Sequence, residues 1–252
     1  MFKERVNNLP VELKGVVLGG GRGTRLYPLT AETNKHLLPI GEKTMVVRAI
    51  DQLLDAGVRD IVLLIDEKFA SQFMGTLKDG SDLGIRSLAY VWQHPEGKGL
   101  PTAIAQIQHL VKDEKIVVAC GDVLIENGIK KQINEFLKQD KGACLISAYV
   151  EDTAGYSPLE VTKEKVLKII PKDKNRHEPG LIDLGIYMYH SDVFEKIREL
   201  APSARGETEI WDLNQIYASR GELNYAVIDG WWCDTGESIK KYSEANRRYG
   251  NK

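Results

Sequence analysis

Short apolar runs alternate with segments of helical periodicity along the first 150 residues, and this alternation predicts an α/β fold. Residues 44–56 carry apolar side chains at helical spacing, whereas residues 59–65, RDIVLLI, form an apolar run of strand length. Strands and helices that alternate at this spacing build βαβ units. The sequence therefore predicts a three-layer protein in which helices cover both faces of a mostly parallel, mixed central sheet.

In the first half, the predicted elements are bounded by turn signals. An apolar strand at 15–18 runs into a glycine-rich loop, Gly57 ends the helix at 44–56, and the turn residues 79–82 end a helix at 68–77. The elements that follow are predicted strands at 85–93, 115–119 and 143–150 and helices at 100–110 and 128–139.

Beyond about residue 156 the pattern changes. A hairpin is predicted at 159–170 with its turn near 163–165, and a polar loop follows at 172–180. The remaining elements are predicted strands at 181–189 and 224–228 and helices at 192–200, 209–220 and 237–249. Because there is no internal repeat or low-complexity linker, we expect an N-terminal leader at 1–12 and a single domain at 13–252.

The composition excludes several classes of protein. The 252 residues include 34 Lys and Arg and 36 Asp and Glu, a net charge of -2, whereas nucleic-acid and membrane-surface binders usually carry a basic excess. The three cysteines are scattered, which fits a reducing compartment, and no apolar run approaches the roughly 20 residues of a membrane span. The N-terminus lacks the apolar region of a secretory signal. We therefore expect a cytoplasmic protein that binds no nucleic acid and no membrane.

The glycine-rich loop after the first strand is the clearest candidate for a binding site. Four of the five residues at 19–23 are glycine, so main-chain N–H groups can approach phosphate oxygens. Arg22, Arg25 and Lys35 add positive charge, and no acidic residue occurs between Gly19 and Ala31. The spacing matches neither a Walker loop nor a dinucleotide-binding fingerprint. The loop alone predicts either a polyphosphate site or a glycine-rich turn.

The longer pattern is more specific. GGGRGTRLYPLT, followed by NKHLLPI, resembles the signature of the sugar nucleotidyltransferases, and within them the short glucose-1-phosphate thymidylyltransferases. The resemblance implies a fold of the nucleotide-diphospho-sugar transferase type. It also implies a Mg²⁺-dependent reaction in which an NTP and a sugar 1-phosphate give an NDP-sugar and pyrophosphate. The preferred NTP would be dTTP, with UTP and CTP left open, and the sugar would be glucose or a modified hexose.

The resemblance assigns nucleotide binding to the first half of the domain, about 13–150. Arg25 and Lys35 would be catalytic because they neutralise phosphate charge. The implied nucleotide-binding residues are Leu18, Gly20, Gly21, Gly23, Thr24, Arg25, Gln93 and Gly99. The spacing from the glutamine to the last glycine is one residue longer than is usual in the family, which leaves the choice of base less certain than phosphate binding.

Two acidic residues are candidate metal ligands. Asp122 follows the apolar strand KIVVA, and an acid at the carboxyl end of a parallel strand can reach a Mg²⁺ that also binds triphosphate oxygens. Asp234 lies in WCDTG before the last helix. Each alone could equally be a turn or helix-capping aspartate. The resemblance implies that both bind the metal.

The second half, about 151–252, would bind the sugar phosphate through Tyr156, Lys172 and Arg205. Arg205 lies in PSARGETEIWDLN, where Glu207 and Glu209 would brace the loop and cap a helix. Two departures from the family fall near the sugar: Pro171 stands where a glutamate is expected before the lysine, and Tyr156-Ser157-Pro158 replaces an aromatic residue followed by glycine and valine. A site that loses a hydroxyl-binding carboxylate changes its specificity. We therefore expect either that the sugar is not simply glucose or that glucose 1-phosphate is used poorly.

Two alternatives remain at this point. A nucleotide-sugar-dependent glycosyltransferase shares the layout, but it normally carries an Asp-x-Asp motif where this chain has Cys120-Gly121-Asp122. A non-catalytic regulatory or binding subunit typically loses one of the charged site residues, and this chain keeps all of them. The expected partners are the NTP and the sugar 1-phosphate, and a homo-oligomer remains possible. The five histidines lack ligand spacing and are expected at the surface or the edge of the core.

Overall fold

The structure is a computed structural model that describes residues 13–21, 23–94 and 99–250. The expected leader and Arg22 lie outside the described residues. The strands in chain order are β1 (Leu13–Gly19), β2 (Pro39–Ile40), β3 (Lys43–Thr44), β4 (Asp60–Ile65), β5 (Ser87–Trp92), β6 (Lys115–Cys120), β7 (Val123–Ile125), β8 (Ala143–Val150), β9 (Leu159–Val161), β10 (Val166–Ile169), β11 (Gly180–Tyr189), β12 (Leu223–Val227) and β13 (Trp232–Asp234). The helices are α1 (Met45–Asp55), α2 (Ala70–Leu77), α3 (Leu100–Ala105), α4 (Gln108–Val111), α5 (Lys130–Leu137), α6 (Val193–Arg198), α7 (Ile210–Ser219) and α8 (Ile239–Gly250).

A seven-stranded sheet with the order β12-β8-β11-β6-β1-β4-β5 forms the centre of the fold. Its neighbouring strands are parallel except for β11, which is antiparallel to both β6 and β8. The predicted mostly parallel, mixed sheet is therefore confirmed. Val17 on β1 lies opposite Leu63 on β4 and Ala119 on β6, so the carboxyl ends of these strands meet at one edge, where open α/β sheets bind ligands.

The core lies in two layers, because alternate side chains of each strand point to opposite faces of the sheet. Val17 packs on one face with buried residues of α1, α2 and α5, and its neighbour Val16 packs on the other face with residues of α3, α6 and α7. Helices on both faces give the three predicted layers. A smaller cluster joins α8 to Ile40, Leu124 and Cys233.

Two sequence predictions need correction. The helix expected at 100–110 is divided into α3 and α4, because hydrogen bonds such as Ile107 N–H to the Ile104 carbonyl (3.2 Å) tighten the chain to three residues per turn. The short strands β2, β3, β7 and β13 were not predicted; outside the main sheet, β2 pairs antiparallel with β3 and β7 pairs antiparallel with β13. The β9–β10 hairpin is present as predicted. No helix within the described ranges has the length and apolar character needed to span a membrane.

Candidate active site

The glycine-rich loop leaves β1 and folds onto the segment that carries Lys35. A β-carbon on Gly23 would lie 2.9 Å from both Lys35 Cβ and Thr30 Cγ2, and the Thr30 hydroxyl donates to the Gly23 carbonyl at 2.9 Å. At the start of the loop, a β-carbon on Gly20 would overlap Oε1 of Gln93. Gly20 and Gly23 are therefore required for close packing within the protein, a role separate from the access to phosphate that the sequence analysis predicts.

His36 anchors the short turn that presents Lys35. The Asn34 side chain accepts a hydrogen bond from His36 N–H at 2.9 Å, and His36 itself is only 2% exposed. Burial, together with the charge of Lys35, lowers the pKa of His36 to about 3, so its ring is neutral at pH 7. The expectation that this histidine lies at the surface or the core edge is wrong. A buried neutral ring at this point limits the positions that Lys35 can adopt.

The β7–β13 ladder brings the two predicted metal acids together. Asp234 ends β13 opposite Val123, the residue after Asp122. Thr235 reinforces the contact, because its main-chain N–H and its hydroxyl both donate to the Asp122 carbonyl, at 2.8 and 2.7 Å. Gly236 N–H donates to Oδ1 of Asp234 at 3.0 Å. The acids thus lie side by side through a ladder that no sequence pattern indicated.

Lys35 Nζ forms an ion pair with Oδ2 of Asp122. Burial acts to raise the pKa of Asp122, but the charge and hydrogen bond of Lys35 outweigh it and lower this pKa to about 2. Burial and the negative charge of Asp122 raise the pKa of Asp234 to about 6. Burial opposes the charge on Lys35, but the two carboxylates outweigh it and raise the lysine pKa. Two carboxylates facing one lysine leave a local excess of negative charge, which favours a bound cation.

The donor set at this point fits a hard divalent cation. Within the described residues, no cluster of three or more His, Cys, Asp or Glu side chains could hold a metal. A pair of carboxylates is nevertheless the usual protein contribution to Mg²⁺ sites, where substrate phosphates and waters complete the shell. Asp122 and Asp234 are therefore the side chains that could hold such an ion.

A cavity of about 670 Å³ opens beside the acidic pair. Its lining includes most of the charged residues that the sequence predicted, which are Arg25, Asp122, Lys172, Arg205 and Asp234, together with Gly99 and Tyr156. Lys35 reaches the cavity wall through its ion pair with Asp122. The remaining predicted nucleotide-binding residues lie outside its described lining, and these are Leu18, Gly20, Gly21, Gly23, Thr24 and Gln93.

Gln93 and Gly99 occupy different surroundings. Gln93 N–H donates to the Ile65 carbonyl at 2.8 Å, which fixes the residue at the end of β5. Gly99 has a φ of 102°, a conformation that favours glycine, and a β-carbon there would overlap the carbonyl of Thr208. Gly99 thus allows the loop of the second half to pack against the start of α3. Leu18, another predicted nucleotide-binding residue, lies near the end of β1, where its carbonyl accepts a hydrogen bond from Gly121 N–H at 3.1 Å.

Arg205 reaches the cavity from the loop before α7. Its Nε and Nη2 donate to Oε1 of Glu209 at 3.1 and 2.7 Å, and its guanidinium lies 5.5 Å from the ring centre of Trp211. The Arg205 side chain remains 63% exposed. Glu209 also accepts from the Ser203 hydroxyl at 2.8 Å, so it braces the loop as predicted. Its predicted capping bond to α7 is absent, because the carboxylate is turned to Ser203 and Arg205.

Tyr156 lies in the same wall, held by a residue that the sequence reasoning missed. Its hydroxyl donates to Oε2 of Glu237 at 2.9 Å, and its ring packs edge-on against Trp232 at 5.8 Å. Asp183 on β11 also lines the cavity and was missed. An acid inside the otherwise apolar strand LIDLGIYMY is the signal that could have identified it.

Comparison with known proteins gives a consistent result. Residues 14–252 match the model of the nucleotidyl transferase family. A glucose-1-phosphate thymidylyltransferase of Neisseria meningitidis is 32% identical over 227 residues, which are 89% of this chain and 78% of that protein. The enzyme of the same name from Mycolicibacterium smegmatis is 33% identical, with the same coverage of 89% and 78%.

Solved structures agree. A Bacillus anthracis structure assigned by name as a glucose-1-phosphate thymidylyltransferase superposes with a TM-score of 0.88 at 34% identity, covering 95% of this chain and 96% of that one. A UDP-glucose pyrophosphorylase shares the fold at a TM-score of 0.79 and 23% identity, covering 94% of this chain and 98% of its own. With its glycine loop, acidic pair and cavity on this framework, the chain belongs to the nucleotidyl transferase family.

Proposed function

We propose that this protein transfers a nucleotidyl group from an NTP, preferentially dTTP, to glucose 1-phosphate or a modified hexose 1-phosphate, and releases pyrophosphate. One observation carries the proposal: a single cavity joins Arg25 and the acidic pair at the strand ends to Lys172 and Arg205 from the second half. The names of the relatives from Neisseria and Mycolicibacterium support the same reaction.

The charges of the site suit this reaction. A sugar 1-phosphate is an anionic nucleophile at neutral pH, so the protein has no need of a general base. Its tasks are to neutralise charge on the reacting phosphates and to hold the two substrates in line. Arg25, next to the glycine loop, would bind the triphosphate. Lys35, which is fixed by His36 and Asp122, would lie against the phosphate where negative charge develops.

Asp122 and Asp234 would hold Mg²⁺. When bound, the ion supplies a counter-charge to the triphosphate oxygens and to the departing pyrophosphate. The raised pKa of Asp234, caused by burial and by the neighbouring Asp122, supports this assignment, because a cation bound at such a pair of carboxylates would relieve their repulsion. Gly236 lets the carboxylate of Asp122 lie against the main chain of the DTG turn.

The second half would supply the sugar-phosphate site. The Arg205 guanidinium donates to Glu209 from one edge, lies over the Trp211 ring and is largely exposed, so its other N–H groups can bind a phosphate. Lys172 lines the cavity as a second cation. Tyr156, oriented by Glu237, would form part of the wall around the sugar. We therefore propose that residues of about 13–150 bind the nucleotide and that residues of about 151–252 bind the sugar phosphate.

Gln93 would select the base. Its side chain crosses Gly20 at the start of the glycine loop, where it can offer both an amide donor and an acceptor to a pyrimidine. A single amide does not separate thymine from uracil, which present the same hydrogen-bonding edge. The proposed preference for dTTP over UTP thus rests on the names of the relatives. Cytosine presents a different hydrogen-bonding edge, so CTP is the nucleotide that Gln93 could distinguish from dTTP.

A matrix of NTPs against sugar 1-phosphates, read by pyrophosphate release, tests the proposal. We expect turnover with dTTP and at least one hexose 1-phosphate, loss of turnover with a chelator, and recovery on addition of Mg²⁺. A glycosyltransferase would consume an NDP-sugar without releasing pyrophosphate. A non-catalytic subunit would neither consume an NDP-sugar nor release pyrophosphate. Absence of pyrophosphate release with every pair at millimolar Mg²⁺ would contradict the proposed function.

A further inference from the structure

Strand β11 is interrupted where it passes the cavity. Its pairing with β8 shifts register between Asp183 and Tyr187, and Gly185 between them has a φ of 78°. A bulge of this kind bends the strand and redirects a side chain, and bulges of this kind are frequent beside active sites. Asp183 N–H donates to the Ser157 carbonyl at 3.1 Å, which fixes the main chain at the interruption. The Asp183 side chain lines the cavity.

Two hydrogen bonds hold the Asp183 carboxylate in place. Oδ1 accepts from Gly185 N–H at 2.7 Å, and Oδ2 accepts from the Tyr187 hydroxyl at 2.8 Å. Each carboxylate oxygen can accept two hydrogen bonds, so among the residues that the structure describes each retains one acceptor position. Burial raises the pKa of Asp183, whereas these two bonds and the charge of Lys172 act to lower it. The carboxylate is a rigid, partly satisfied acceptor, and no step of the proposed mechanism uses it.

Its neighbours identify this part of the cavity as the sugar end. Tyr156, Ser157, Pro171, Lys172 and Tyr187 share the lining with Asp183. Pro171 stands before Lys172 where the family resemblance leads one to expect a glutamate, and a proline side chain cannot accept a hydrogen bond. Of the other acids in the described lining, Asp122 and Asp234 form the acidic pair and Glu209 is bound to Arg205. Glu207 lies on the loop before α7, outside the sheet.

We propose that Asp183 is the specificity-determining carboxylate of the sugar site, where its two remaining acceptor positions bind hydrogen-bond donors on the hexose ring. This inference rests on the proposed function. The donors it recognises are hydroxyl groups or a protonated amine, and its carboxylate enters from β11 instead of from the position of Pro171. The sugars that this chain accepts therefore differ from those selected by a glutamate at that position.

Asp183→Asn, measured beside Glu160→Gln, tests the inference. Asparagine keeps the shape and an acceptor for Gly185 N–H, but it replaces a charged acceptor by an amide donor. Glu160 is an exposed carboxylate on the neighbouring strand β9, which makes it the matched control. The substrates are the hexose 1-phosphate that the wild type uses best, its single-position deoxy analogues and its amino-sugar counterpart.

We expect Asp183→Asn to lower kcat/KM for the best sugar by about 10- to 100-fold, the range for a lost hydrogen bond to a charged group, mainly through KM for the sugar. For the deoxy analogue that lacks the recognised donor, the kcat/KM values of wild type and variant should differ by less than about 3-fold, since the interaction is absent from both. The KM for the NTP and all values for Glu160→Gln stay unchanged. A larger loss with the amino sugar than with the hydroxyl sugar identifies a protonated amine as the donor.

An equal loss with every analogue, or no loss with any, overturns the inference. Calorimetric titration with the NTP and thermal melting report whether the variant is folded. If Asp183→Asn does not bind the NTP, Asp183→Ser, which is smaller and keeps an acceptor, is measured with the same two criteria. If the wild type is inactive with every substrate pair, the proposed function is refuted. If the wild type is active and Asp183→Asn has the same kcat/KM for every sugar, only this inference is refuted.

Discussion

Gly236→Ala is the smallest change that tests the geometry of the acidic pair. Gly236 follows Asp234 and Thr235 in the DTG turn, and its main-chain conformation is one that alanine can adopt, because its φ is not positive. A β-carbon there would nevertheless overlap Oδ2 of Asp122 and would lie 3.0 Å from Lys35 Nζ. The added methyl group would therefore displace the ion pair between Lys35 and Asp122 without changing a charge.

The size of the effect follows from the displacement. Removing the overlap requires the Asp122 carboxylate to move by about 1 Å, and misplacement of a catalytic group by that distance can reduce the rate about 100-fold. A 100-fold loss in kcat corresponds to about 2.7 kcal/mol of activation free energy. Overpacking of a buried site costs about 1–3 kcal/mol of the free energy of unfolding, so we expect the variant to remain folded.

The assay is pyrophosphate release at saturating NTP and sugar 1-phosphate, with the free energy of unfolding measured by urea titration. Gly75→Ala is the matched control, because it adds the same methyl group on α2 with nothing within 4 Å. We expect it to leave kcat unchanged and to stabilise the protein by about 0.5–1 kcal/mol. If folded Gly236→Ala retains kcat within about threefold of wild type, the packing of Asp122 against Gly236 has no part in catalysis, and the geometric reasoning is wrong.

Three further changes test other parts of the site. Lys35→Met should abolish turnover and lower the free energy of unfolding, measured by urea titration, by about 3 kcal/mol, because it leaves the buried Asp122 carboxylate unpaired. A decrease below about 1 kcal/mol would contradict the claim that the ion pair stabilises the protein. Gly20→Ala should displace the Gln93 side chain, raise the KM for dTTP about tenfold and narrow the preference over CTP, while an unaltered preference in the matrix assay would argue against base selection by Gln93. Arg205→Ala should raise the KM for the sugar 1-phosphate about tenfold and also lower thermal stability, since the buried side chain of its partner Glu209 loses its ion pair; an unchanged KM would remove Arg205 from the phosphate site.

The fold could be predicted from sequence because its main elements are locally specified. The apolar runs of β1, β4 and β6 are long enough to form buried strands, and α1 ends where Gly57 adopts a positive φ of 92°. The order of the strands follows less directly, because it depends on how helices of both halves cover the sheet. β11 illustrates this point: its sequence predicts a strand, but only the tertiary structure makes it antiparallel and places it between β6 and β8.

The residue types of the site could also be predicted, since Arg25, Asp122 and Arg205 stand in distinctive motifs. Their spatial relations could not. Asp183 illustrates the limit, because its orientation depends on a register shift in β11 and on a hydrogen bond from Tyr187, and a single aspartate in an apolar strand indicates neither. The burial of His36 could not be predicted for a similar reason, because it depends on the turn at Lys35 packing against Gly121.

The short β7–β13 ladder shows why the geometry of the site is harder to predict than the fold. Its strands have three residues each, too few to show a period, and their partners are far apart in sequence, so local propensity cannot specify the pairing. Yet this ladder, with the two hydrogen bonds of Thr235, decides that Asp122 faces Asp234. Its apolar side chains are also buried: Val123 and Ile125 belong to the core cluster that contains Val17, and Leu124 and Cys233 belong to the cluster beside α8. Changes to them should therefore lower stability as well as activity, because the two carboxylates and Lys35 depend on this ladder for their positions. The site thus depends most on the element that the sequence specifies least.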